Sequence, residues 1–266
     1  MNDIDKKKVA AAAAVVVVLL AGGFMFLHKR APQPAPVAAA PVPMPAPAAP
    51  PPPPPPPPAP PAPALPDLAH SDDFVRAQAK DLSSEPGFAA WLKAGHLLGR
   101  LTAAVDLVGR GRMPSDSLSF LAPRRRFSAA RTAGRLVIGA KSYARYDAFA
   151  AVFASIDASK AAALAKTVDP LLRQACQDLG ENACDFRASF ARAASEILRA
   201  PVPSGPVEIV ARPNGLIYEF ADKSLEKLDP VQKLAVRLGP ANEGKVQAKL
   251  KELAAAMGVP DGEPVP

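Results

Sequence analysis

The chain has 266 residues, among them 33 prolines and two cysteines, with a formal net charge of +7 and 49% hydrophobic residues. Two cysteines exclude a disulfide-dense secreted scaffold and a multi-cysteine zinc module. The charge is local: residues 100–145 carry 10 basic and 2 acidic side chains, which excludes a uniformly basic protein and points to one basic surface.

Residues 1–8 hold Lys6, Lys7 and Lys8 ahead of an uninterrupted apolar run at 9–27. In hydrocarbon every backbone polar group must be satisfied within its own segment, so this run reads as a single transmembrane helix of roughly 28 Å. A cleaved signal peptide is the alternative, but its apolar core is usually shorter, about 7–15 residues. The run also ends in His28-Lys29-Arg30 instead of a small-residue cleavage site. The slight excess of positive charge before the helix, and the absence of cysteine there, favour a cytoplasmic N-terminus and an inner-membrane protein with its bulk in the periplasm.

Residues 28–64 form a Pro/Ala-rich linker, with an unbroken proline run at 50–58. Proline lacks the N–H that a helix or sheet needs and fixes φ, so the segment is expected to be a disordered polyproline II spacer. A mainly α-helical domain is expected over 65–257, followed by a flexible tail at 258–266. Ser71 is read as the cap of a first helix, with Asp72 and Asp73 in its first turn. Pro86-Gly87 reads as a break. Leu97, Leu101, Val105 and Val108 recur at helical spacing on one face, and residues 110–126 read as a loop ending in Arg124-Arg125-Arg126. Phe127–Ala129 and Leu136–Ile138 flank Thr132-Ala133-Gly134, the signal for one small β-hairpin.

Ser142 is read as the cap of the next helix, with Tyr146, Phe149, Phe153 and Ile156 on its apolar side. Asp157 is read as the cap of a helix kinked at Pro170, and Asn182 as the cap of a third through Phe186 and Phe190. Val207–Val210 reads as one strand. Asp229-Pro230 is an N-cap and N1 pair, Gly239 is the stop, and a last helix carries Val246, Leu250, Leu253 and Met257.

Four ordered blocks, LPDLAHSDDFVRA (65–77), VDLVGRGRMP (105–114), SYARYDAF (142–149) and IYEFADKSLEKLDPVQKLAVRLGPAN (217–242), resemble the bacterial domain-of-unknown-function family 3014. The resemblance implies an envelope domain placed after a membrane helix and a proline-rich linker. It implies no activity.

Several constellations are candidates for function. Tyr143, Arg145 and Asp147 are a dense polar-aromatic cluster. On one helix Tyr143 and Asp147 are i, i+4 neighbours able to share a hydrogen bond, with Arg145 as an anion fork. Against this stands a packing role with Tyr146 in the core. Arg124, Arg125 and Arg126 offer an anion-binding patch or a solvated loop. Asp106, with Asp72, Asp73 and Asp116 as other candidates, is a carboxylate for hydrolytic chemistry, which needs two acids at a set separation; capping or pairing with arginine explains them as well. Cys176 and Cys184 lie on either side of a predicted helix corner and are disulfide candidates, the alternative being two buried thiols. The sequence has no zinc spacing, nucleophile elbow or Walker loop, so no catalytic residue, metal or cofactor is assigned.

The expected role is a non-catalytic periplasmic scaffold or binding module, engaging an envelope protein or an anionic cell-wall polymer, not nucleic acid. The alternative is an envelope hydrolase acting through a carboxylate or Tyr–Asp site.

Overall fold

Helix starts in this chain are set by prolines and by short acidic side chains. A computed structural model describes residues 65–180, 185–213 and 217–259. The expected anchor at 9–27 and most of the linker lie outside them. Among the described residues no single helix is long and apolar enough to cross a membrane.

The described helices are α1 (Asp72–Ala79), α2 (Pro86–Trp91), α3 (Leu97–Gly109), α4 (Ala140–Tyr143), α5 (Asp147–Ala154), α6 (Ala158–Thr167), α7 (Asp169–Asp178), α8 (Phe186–Leu198), α9 (Lys223–Glu226), α10 (Pro230–Leu238) and α11 (Pro240–Ala256). The domain is mainly helical, as its periodicity predicts. Asp157 caps α6 through Lys160 N–H, and Asp229 Oδ1 caps α10 by accepting from Val231 and Gln232 N–H at 2.7 and 2.9 Å.

Other starts differ from the sequence reading. Pro86 opens α2 at its first turn instead of marking a break, since a proline there gives up an N–H that has no helical partner. Ser71 turns its hydroxyl back to donate to Leu68 O at 2.7 Å and caps nothing. Pro170 does not kink one helix; it sits at the start of a separate helix, α7. Asp185 caps α8, while Asn182 lies outside the described residues. Ser142 lies fully buried inside α4, where its hydroxyl donates to Ser128 O and accepts from Ser128 N–H. It stitches helix to hairpin.

Two hairpins replace the single one expected. Strands β1 (Ala129–Thr132) and β2 (Arg135–Ile138) pair in register, with Ala133 and Gly134 at positive φ in a tight two-residue turn. Strands β3 (Ile209–Ala211) and β4 (Tyr218–Phe220) form the second. The Val137–Glu208 bridge and the bond from Ile138 N–H to Val207 O join the two.

The core comes in patches. One gathers Val75, Leu98, Val168, Leu172 and Phe186 between α1, α3, α7 and α8. A second packs the hairpins on α10 through Ile138, Val207, Phe220 and Val236. A third sets Ala150 of α5 and Ala194 of α8 against Val246 and Leu250 of α11. The order extends past the expected start of the tail: Val259 is buried against Ala191 and Ala254, and Arg187 donates to Gly258 O.

Candidate functional site: an apolar cleft beside α3

The sequence places Leu97, Leu101, Val105 and Val108 on one apolar face of α3. The residues of α3 that the protein buries most deeply are Leu98, Thr102 and Ala104, while Leu97 and Val105 pack half-buried against the first core patch. All four stripe residues line an apolar cleft of about 430 Å³. Phe88, Trp91, Phe149 and Phe153 line the same cleft. Trp91 stacks on Phe149 with centroids 5.7 Å apart, and Phe149 on Phe153 at 5.9 Å. Leu118, Phe120 and Leu121 of the following loop close one side.

At the mouth Leu101 and Phe120 remain 44% and 43% exposed, whereas Leu172 deep inside is 1% exposed. Exposing two such side chains forgoes part of the roughly 1.5–3 kcal/mol each contributes when buried. Arg100 is the single charged residue lining the cleft; it donates to the backbone carbonyls of Gly95, Asp116 and Ser117. Carbonyl dipoles hold a guanidinium in place without cancelling its charge.

The polar candidates read from the sequence are held apart in structural roles. The 3-10 turn Ala144–Tyr146 interrupts the helix between Tyr143 and Asp147, so the i, i+4 geometry is lost. Asp147 accepts instead from Asn242 Nδ2 at 2.8 Å, and the same amide group reaches Tyr143 O and Leu238 O. Arg145 is no open anion fork: its Nε donates to Ser142 O, and its guanidinium lies 5.7 Å from the Phe127 centroid and 5.2 Å from that of Tyr146. It also donates to Arg125 O at 3.4 Å, tying the arginine-rich turn to the hairpin-side helix. Asp106 accepts from Arg110 Nε at 2.8 Å, one turn along α3. None of Tyr143, Asp147 and Asp106 lines the cleft. Arg124, Arg125 and Arg126 are exposed, and no acidic partner meets them among the described residues.

Cys176 is 2% exposed and disulfide-bonded, while Cys184 lies outside the described residues. Among the described residues no three His, Cys, Asp or Glu side chains gather as a metal site.

Residues 97–254 match the family model described as a protein of unknown function, DUF3014. The chain belongs to this family. No curated protein and no solved structure matches it. The DUF3014 region opens at Leu97, the first residue of α3, and closes within α11, so it contains both hairpins and the stripe that faces the cleft. Of the four blocks of resemblance, those at 105–114, 142–149 and 217–242 fall inside it; 65–77, with α1, lies ahead of it.

One residue of this DUF3014 region escaped the sequence reading. Glu243, in the first turn of α11, is completely buried, and neither carboxylate oxygen has a hydrogen-bond partner. Burial pushes its pKa up to about 7. The nearby Tyr143 phenol is also raised, by its own burial and then by the charge of Glu243. A glutamate in a first helical turn is an ordinary sequence feature, and no sequence signal marks this one as buried.

A second hollow, about 370 Å³, lies under the hairpins between Phe127, Ile138, Tyr218, Phe220 and Arg237. The Arg237 guanidinium stacks 4.8 Å from the Phe220 ring centroid, and burial lowers its pKa. Most of its lining is core, and its one cation is already engaged.

Proposed function

We propose that this DUF3014 protein is a single-pass envelope protein. Residues 1–8 are cytoplasmic, 9–27 cross the inner membrane, 28–64 form a polyproline spacer, and the helical domain acts in the periplasm as a non-catalytic binding module. One observation carries the binding reading: all four residues of the amphipathic stripe of α3 line an apolar cleft, and Leu101 among them stays 44% exposed. Clefts of a few hundred cubic ångströms with apolar walls and few polar groups are the usual form of a binding site. The residues on which hydrolysis would depend are meanwhile committed to Asn242 and Arg110.

The test is made on full-length protein in its native membrane. A photoreactive amino acid is placed at Leu101 or Phe120, and the adducts are identified by mass spectrometry. Adducts at both positions, absent when the probe is placed at exposed Lys251 on α11, are expected. No adduct at either mouth position overturns the binding module. A reporter active only outside the cytoplasm, fused after Pro266, is expected to be active; activity of a cytoplasmic reporter there overturns the topology.

A further inference from the structure

We infer that the hollow under the hairpins binds a small aromatic carboxylate, with its anion on the Arg237 guanidinium and its ring against Phe127 and Tyr218. The site is separate from the cleft and goes beyond the binding-module reading. The first ground is a charge without a counter-charge. Phe220 engages only one face of the Arg237 guanidinium, its ring centroid 4.8 Å away, and no N–H of that group meets an acceptor among the described residues. Its nitrogens are not fully buried, and Arg237 lines the hollow, so its donors open onto that space. The carboxylate whose charge reaches it, Glu226, is already spent: Oε1 accepts from Lys233 Nζ at 2.7 Å and Oε2 from Phe220 N–H at 2.9 Å. Burial works against the Arg237 charge, and Glu226 and Tyr146 offset only part of that. A guanidinium held this way favours an incoming anion, and a carboxylate matches its fork with two parallel hydrogen bonds.

The second ground is the walls. Phe127, Tyr218 and Phe220 line the hollow, and the rings of Phe127 and Tyr218 stand 5.1 Å apart at 38°. Such faces take a further ring in offset or edge-to-face contact, at centroid separations of about 4.5–7 Å. A second cation adds to the field: the Arg145 guanidinium lies 5.7 Å from the Phe127 centroid. Ile217, also in the lining, is 48% exposed, so the hollow reaches the surface. Its size sets the ligand. A cavity of about 150 Å³ holds benzene, so 370 Å³ holds roughly 15 non-hydrogen atoms, enough for a ring system and one carboxylate. A phosphate dianion brings a second negative charge toward Glu226, and a neutral ring leaves the Arg237 donors without an acceptor.

The experiment uses full-length protein and para-azidobenzoate, a photoreactive acid small enough for the hollow. Light is expected to label peptides containing Phe127, Tyr218 or Phe220, and excess naphthoate to remove the label. Arg237→Gln, with circular dichroism unchanged, is expected to cut labelling at least tenfold, and Arg237→Lys to restore part of it. Ile217→Trp enlarges an exposed side chain at the opening and is expected to cut labelling similarly; it carries the test if Arg237→Gln does not fold. The uncharged para-azidobenzamide is expected to label these peptides at least tenfold less than the acid. Absence of label, label that naphthoate does not remove, or label that neither variant reduces overturns the site. Equal labelling by the amide overturns the pairing with Arg237. Competition by inorganic phosphate at the concentration of naphthoate overturns the carboxylate. Stronger competition by a short peptide ending in phenylalanine overturns the small-molecule assignment in favour of a chain terminus. The photoreactive residues at Leu101 and Phe120 report on the cleft alone, so the two sites fail independently.

Discussion

The carboxylate of Asp72 caps a helix other than its own: its two oxygens accept from the backbone N–H groups of His96 and Leu97, each at 2.8 Å, at the start of α3. His96 sits there with φ 54° in the left-handed region, which costs on the order of 1 kcal/mol for a non-glycine residue. Asp72 also meets Arg76, whose Nε donates to Leu92 O. Asp72→Ala is therefore predicted to cost about 1–2 kcal/mol, as loss of a cap does. Chemical denaturation measures it. Asp73→Ala, one residue along, removes only an exposed ion pair with Arg76 at 2.7 Å; it is the control and is expected to cost about 0.5 kcal/mol or less.

Glu243 predicts an unusual pH dependence. Its ordinary value of 4.5 rises to about 7 in the folded chain, so between those values the native state holds a proton that the unfolded chain has released. The contribution of Glu243 to stability is then greatest below about pH 4.5, falls as pH rises to about 7, and levels off beyond. The contribution lost across that window is about 3 kcal/mol. Glu243→Gln is expected to flatten the profile and to exceed the parent protein in Tm at pH 8. A parent Tm that climbs steadily from pH 5 to 7 while that of the variant does the same would contradict the assignment.

Gly239 ends α10 and opens α11 at φ 84°, with Tyr143 packed against its α-carbon. A Cβ there would lie 2.5 Å from ring Cδ1 and 3.0 Å from Tyr143 Cβ. Gly239→Ala is predicted to destabilise by about 2–3 kcal/mol, through the positive φ and the overlap together. The double variant with Tyr143→Ala is expected to lose less than the sum of the two single variants. Strict additivity would show that the overlap contributes nothing.

Cys176 and Cys184 are predicted to share an intramolecular disulfide. Protein isolated without reductant is expected to resist thiol alkylation until it is reduced and to run as a monomer. Closing a loop of about nine residues is worth about 2.5 kcal/mol in the chain-entropy account, so reduction is expected to lower Tm. A dimer that disappears on reduction would place the bridge between two chains.

What the sequence revealed followed the range of the interactions. Asp157, Asp229 and Gly239 were legible because cap or stop and helix are adjacent in the chain. The cap of α3 was not, since Asp72 lies 25 residues upstream of Leu97. Ser142 was misread because a serine before a helical pattern looks like a cap, while its hydroxyl is spent on Ser128 across a fold of the chain. The second hairpin did have a signal, Asn214-Gly215 between two short apolar runs, a pair typical of tight hairpin turns. The α3 stripe was read correctly as apolar. Periodicity shows that a face must avoid water but not what covers it, so the cleft could be seen only in three dimensions. The Tyr143–Asp147 cluster failed for a local reason: a 3-10 turn stands between them in place of a continuous helix, and Asp147 accepts from Asn242 instead.

The junction between the hairpins carries a consequence for the order of folding. Each hairpin pairs near neighbours in the chain and can form within microseconds. The bridge from Val137 to Glu208 and the bond from Ile138 N–H to Val207 O instead close a loop of about 70 residues that contains α4 through α8. Those contacts repay their entropy only once the helices between them have shortened the path. The Ile138 amide is therefore expected to gain protection later than the Val137 amide, which faces β1, in pulsed hydrogen exchange during refolding, although the two are adjacent in one strand; simultaneous protection would mean that the two hairpins meet before the helices pack.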